Sequence, residues 1–283
     1  MKRLRVAWLA DGKRLHLRNG PVNLIIQAFG PPAQLGRAYE AGIERARALV
    51  VELAEDLPRL QTQEAPLSAV GQRAAAAAQA VPGGVPAVAA LTGAIADEVL
   101  TAMTQAGALA RGFVNNHGVV AFHLAEGESL SPQAMDWPEF SRYDATRVPI
   151  PSAARARGMA AGGWHYHGFA LGCVDRIYAA APSAAVAEAA LGSISAAMQP
   201  GTGVQCVQAG MLDAESVLGM LEVYPTLDMA EEDIASAMAQ GRAAAEGLFA
   251  AGTATLMLAA LGDKSFLVAP PQFNLSSMVS VEF

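Results

Sequence analysis

Charge is scarce in this chain of 283 residues: Lys, Arg, Asp and Glu together make up 16% of it, against 53% hydrophobic residues. A surface so poor in charge points to apolar area hidden between copies, and a homo-oligomer, in the first instance a dimer, is expected. Positive charge is scarcer still. The formal net charge is −7 and no run of Lys and Arg exceeds two residues, which argues against nucleic acid or an anionic membrane as partner. Cysteine is nearly absent. Cys173 and Cys206 are far apart and form no CxxC pair, which speaks against a disulfide framework or a zinc ribbon and fits a reducing, cytoplasmic setting. Long uninterrupted apolar runs are missing too. The stretch Val6 to Ala10 stops at Asp11, too short for a signal segment, and the apolar window Val85 to Ala110 carries Asp97 and Glu98 at its centre, where a membrane span would not hold them. The expectation is a soluble cytoplasmic protein with no membrane or nucleic-acid partner. Its length suits one large domain, with room for two pseudo-halves bounded near residues 125–156.

The pattern that is present alternates strands with long helices. Leu4 to Leu9, Arg14 to Leu17 and Val22 to Phe29 read as a small antiparallel sheet, joined at Asp11-Gly12 and Asn19-Gly20-Pro21. Helices are expected over 33–57, ended by Pro58; over 67–80, stopped by Pro82-Gly83-Gly84; and over 86–105. A strand or strand pair covers Gly112 to Leu124, an irregular stretch with Trp137 and Tyr143 runs from Ala125 to Ala156, and strands resume over 159–180. Helix is expected over 183–198. Strand-like runs then cover 204–210 and 221–224, a helix capped by Asp228 covers 230–250, and strands at 254–261 and 265–268 close the chain. Strand links are hairpin-like as often as crossover-like, so the class is α+β: mixed or antiparallel sheet packed with long helices.

Three of the five histidines lie in two Gly-rich segments, His117 in GFVNNHGV and His165 and His167 in GGWHYHGF. Strand alternation sends His165 and His167 to one face and Trp164 and Tyr166 to the other. Three readings stand open. The imidazoles of His117, His165 and His167 suit a transition metal such as zinc, whose bound water would be acidified for hydrolysis. They also suit, and better, a metal-free pocket, in which one imidazole shuttles protons and another orients it. They are also compatible with a purely structural role. His123, on the same face as His117 if the strand is regular, is expected to be interior or surface, and His16 to face solvent. Asn115, Asn116 and Gly118 are candidate ligand contacts around the first histidine. Asp97, a carboxylate in an apolar helix, is a candidate to face the pocket, with Glu98 exposed. Asp175 is expected to pair with Arg176, and both cysteines to be small buried residues.

Several of these phrases, taken in order, resemble the ApbE-like proteins. GPVNLIIQAFG at Gly20–Gly30, GAIADEVL at Gly93–Leu100, VNNHG at Val114–Gly118, the segment Gly163–Asp175 and AEA at Ala187–Ala189 follow that family's order, so the likeness covers roughly Gly20 to Leu261. The resemblance implies an α+β, T-fold-related domain. For the better-known members it also implies transfer of FMN from FAD to a protein threonine with magnesium. This chain departs where that chemistry sits. The family's NGGD reads Asn116-His117-Gly118-Val119, its metal-binding DAAAT reads Glu188-Ala189-Ala190-Leu191-Gly192, and its GRSF arginine falls on His167. Oxygens are lost and imidazoles gained, the wrong direction for magnesium. The lead expectation is therefore an ApbE-like enzyme whose histidine-lined pocket acts on a small ring-containing metabolite by group transfer or hydrolysis. The alternatives are FAD-dependent FMN transfer and a ligand-binding protein without catalysis.

Overall fold

A computed structural model of the protein describes residues 4–131, 149–164, 171–201, 206–212, 217–218, 221–223 and 229–271. Its frame is a nine-stranded sheet in the order β1-β2-β3-β4-β5-β8-β9-β12-β13, antiparallel at every junction. The strands are β1 (Arg5–Trp8), β2 (Leu15–Asn19), β3 (Val22–Phe29), β4 (Arg111–Asn116), β5 (Val119–Leu124), β8 (Gly158–Gly162), β9 (Arg176–Ala181), β12 (Leu256–Leu261) and β13 (Lys264–Val268). Two small ladders stand apart, β6 (Ser129–Leu130) with β7 (Ile150–Pro151) and β10 (Val207–Gln208) with β11 (Glu222–Val223). The helices are α1 (Pro32–Gln61), α2 (Ala69–Gln79), α3 (Leu91–Ala106), α4 (Ala184–Ala197), the single turn α5 (Ala209–Leu212) and α6 (Glu231–Ala250). The class is α+β.

The order of elements repeats. Strands β2 and β3 lead into helices and return as β4 and β5. Strands β8 and β9 lead into helices and return as β12 and β13. Both sets of helices lie on one face. Alternation in β3 buries Val22, Leu24, Ile26 and Ala28 against them while Asn23, Ile25, Gln27 and Phe29 turn the other way. The opposite face carries its own cluster, Phe113, Val120, Phe122, Met159 and Tyr178, to which Leu130 and Ala156 contribute. The helical stretch Ala87–Ala106 is long and apolar enough to cross a membrane but sits mostly inside the fold. It is a core helix.

Several boundaries differ from the sequence expectation. Helix α1 runs through Pro58 to Gln61. Proline costs an interior helix about 3 kcal/mol, but here it falls in the last turn, where Leu60 is buried and Asp56 accepts the Leu67 and Ser68 amides at 2.8 and 2.9 Å. The 86–105 helix begins as a 3-10 turn over Ala87–Ala90. Ala230 occupies the N-cap of α6 with no side-chain cap, while Glu231, Glu232 and Asp233 fill its first turn, and Asp228 lies outside the described residues. The expected strand runs 204–210 and 221–224 shorten to the two residue pairs of β10 and β11. The two ends of the irregular stretch pair as β6 and β7, and Trp137 and Tyr143 lie outside the described residues.

Candidate functional site

The first histidine segment folds into the β4–β5 hairpin, with His117 and Gly118 as its two-residue turn. Both have positive φ, 49° and 82°, the pair of values that a type I′ turn requires. Glycine adopts this backbone freely, whereas histidine does so at a cost. His117 is exposed at the tip. Beneath it Asn115 is buried and its Oδ1 accepts the Gly118 amide at 2.9 Å, which ties the turn shut. Asn116, fully buried, points to the helical face: its Nδ2 donates to the carbonyls of Thr92 and Pro21 at 3.2 and 3.3 Å, and its Oδ1 accepts from the Asn23 amide. Gly118 in turn accepts the Ala161 amide at 3.1 Å, so the outgoing end of β8 lies beside the His117 turn. His165 and His167 follow two and four residues after Gly163, outside the described residues.

The contact from Asn116 to Thr92 leads into a buried polar seam where α3 and α4 cross. Asp97, in the second turn of α3, accepts the backbone amides of Ala184 and Ala185 at 3.0 Å each and so completes the start of α4. Glu188, in the second turn of α4, accepts the Gly93 amide through Oε2 at 2.7 Å. Glu188 thus serves the start of α3, whose N-cap position, Ala90, supplies no acceptor. Each helix lends the other a carboxylate. The crossing is tight enough that a Cβ on Gly93 would fall inside the backbone of Ala184.

Burial governs the charge of both acids. Desolvation pushes Glu188 up to about 8, against the pull of the Gly93 amide and the Thr92 hydroxyl, and negative Asp97 adds to the rise. At neutral pH Glu188 is mostly protonated. The residue as a whole is half-buried, with its carboxyl enclosed at the crossing. Desolvation also raises Asp97, opposed by the Ala185 and Ala184 amides.

Asp97 was expected to face the pocket, and both its oxygens are spent on α4. Glu98, expected to be exposed, is largely covered and paired with Arg45 and Arg73 at 2.8 and 2.7 Å. His16, expected in solvent, is partly buried, its Nε2 lying 2.7 Å from Asn23 Oδ1. His123 is partly buried against the Leu109 carbonyl at 3.2 Å. Asp175 accepts the Gly262 amide at 2.8 Å. Cys173 is buried, its thiol donates to the Met198 carbonyl, and burial pushes it up to about 11. Glu188 and Thr92 are the groups that reasoning from residues alone did not place in the site. The available signal was the equal offset from Gly93 to Asp97 and from Ala184 to Glu188, each acid lying one turn past a run of small residues.

Magnesium fits this seam poorly. It needs several anionic or carbonyl oxygens in octahedral order, yet Asp97 is saturated by amides and Glu188 is neutral with one oxygen on Gly93. Among the described residues no three His, Cys, Asp or Glu side chains gather as a metal site. A family model described as AbpE bacteria matches residues 6–266, and the chain belongs to that family. No curated protein matches it.

Proposed function

As a member of this family the chain, we propose, is an ApbE-like cytoplasmic enzyme that acts on a small ring-containing metabolite by group transfer or hydrolysis, using proton transfer rather than magnesium. The observation that carries the reading is Glu188: a carboxyl that burial pushes up to about 8, on a half-buried residue, joined through Thr92 and Asn116 to the His117 turn. The protonated Glu188 carboxyl, whose Oε2 accepts the Gly93 N–H, is the proton donor. It passes that proton to the leaving group as the bond to it breaks. The start of α3 favours the negative charge left behind. His117 takes the proton of the attacking water or acceptor hydroxyl, and proton exchange with solvent water returns His117 to its neutral form and Glu188 to its acid form before the next turnover. His165 and His167, outside the described residues, enter the reading on the sequence pattern alone. Asn115, Asn116 and Gly118 shape the floor, and Asp97 holds the helix that carries Glu188.

The test incubates the full chain with a panel of heteroaromatic and carbocyclic metabolites, FAD with magnesium included, and reads substrate loss by mass spectrometry. A consumed compound whose turnover falls about 100-fold or more in both Glu188→Gln and His117→Gly supports the reading, that being the usual scale of a general acid or base. Consumption of FAD alone, dependent on magnesium and indifferent to Glu188→Gln, would favour the FMN-transfer alternative. Binding without consumption of any compound would favour a ligand-binding protein.

A further inference from the structure

The sheet face turned away from the helices carries Arg5, Arg18, Asn23 and His16, basic and polar groups that neither the core nor the proposed chemistry uses, in a row that ends beside the His117 turn. Register sets the row. Arg5 of β1 lies directly opposite Arg18 of β2, Arg18 opposite Asn23 of β3, and Asn23 lies one residue beyond the Leu24–Asn116 pair, level with His117. Their neighbours Leu17, Val22 and Leu24 belong to the helix-side core and Val6 is the register partner of Leu17, so alternation sends Arg5, Arg18 and Asn23 to the other side. Strands are spaced about 4.8 Å apart, so Arg5 to His117 spans about 14 Å. His16 stands one step behind on the same face, hydrogen-bonded to Asn23, with only Ala7 between it and the edge of the sheet.

Two arginines directly opposite oppose strand pairing. Both are exposed, and among the described residues neither has a carboxylate partner. Over 4–29 the chain holds four Lys and Arg against one acid, in a protein of net charge −7. That acid, Asp11, is engaged by Arg14, and the amides of Lys13 and Arg14 help hold its carboxyl down at about 2. Among the described residues no carboxylate neutralises the pair.

We propose that this row is a binding site for the phosphate or pyrophosphate group of a soluble small molecule. The guanidinium groups of Arg5 and Arg18 grip the anion in forked hydrogen bonds, and the Asn23–His16 pair supplies polar contacts alongside. The proposal rests on register and charge, and it stands whether or not Glu188 is catalytic.

Inorganic pyrophosphate titrated into the full chain by calorimetry, in low-salt buffer free of other multivalent anions, tests it. Expected are one site on the wild type, at least tenfold weaker binding in Arg5→Gln and in Arg18→Gln, and change within twofold in Arg47→Gln, an exposed arginine of α1. Absence of binding, or equal binding by Arg18→Gln, overturns the proposal. A melting-temperature series separates binding from folding. Without anion Arg18→Gln should melt at or above the wild-type temperature, and a clear drop there would mark the pair as structural and overturn the site. Sedimentation with phosphatidylserine vesicles, without any affinity for pyrophosphate, would also overturn it, by making the ligand a membrane headgroup.

Discussion

Glu188 gives the protein a pH signature that can be worked out in advance. An ordinary glutamate titrates near 4.5, and burial at the α3–α4 crossing pushes Glu188 to about 8. Between those values the folded chain holds a proton that the unfolded chain has released. Stability is therefore fully present below about 4.5, falls as pH rises, and levels off once the folded group has also ionised. A displacement of roughly 3.5 units at about 1.4 kcal/mol per unit gives a loss on the order of 5 kcal/mol across the window. That is a large share of the stability of an ordinary domain, about 5–15 kcal/mol. Asp97 is raised in the same direction and steepens the acid end. Urea unfolding at half-unit steps from pH 5 to 8.5 measures the slope, and the linear extrapolation gives the free energy at each step. Glu188→Gln keeps an acceptor for the Gly93 amide and cannot ionise, so its profile should be nearly flat where the wild type falls. Parallel profiles for the two proteins would refute the reasoning.

Other perturbations follow from the same crossing and from the hairpin. Asp97→Ala strands the Ala184 and Ala185 amides and should cost about 2–5 kcal/mol in denaturant unfolding, at the scale of two unpaired buried donors. A cost below 1 kcal/mol would mean that water reaches the start of α4. Gly93→Ala drives a methyl into the Ala184 backbone and should destabilise by several kcal/mol, more than the 1–3 typical of an overpacked core, because backbone cannot rotate aside. A wild-type melting temperature for that variant would contradict the close crossing. His117→Gly relieves the positive φ and should leave the protein as stable or up to about 1 kcal/mol more so, while turnover of any substrate falls. Reduced stability with activity intact would assign His117 to the hairpin alone.

How much could be read beforehand varied by element. Strict alternation made β3 legible, and the serine before α4, whose side chain accepts the Val186 amide, marked that helix start. The end of α1 was illegible because Leu60 and Asp56, which carry it past Pro58, are engaged by contacts with residues 67–68 and the core that a local pattern does not contain. The hairpin turn was ambiguous for a chemical reason. Asn-Gly announces a type I′ turn, and His117-Gly118 does not. Asp97 stood out as a carboxylate in an apolar helix, but the exchange of carboxylates between the two helices did not, since Asp97 and Glu188 find their partners 87 and 95 residues away.

That mutual arrangement has a consequence for assembly of the chain itself. The start of α3 belongs to the first four-strand unit and is finished by an acid from the second; the start of α4 belongs to the second and is finished by an acid from the first. Either unit synthesised alone carries a frayed helix and a stranded carboxylate. The ribosome must therefore deliver residues beyond Glu188 before the first helical layer can lock.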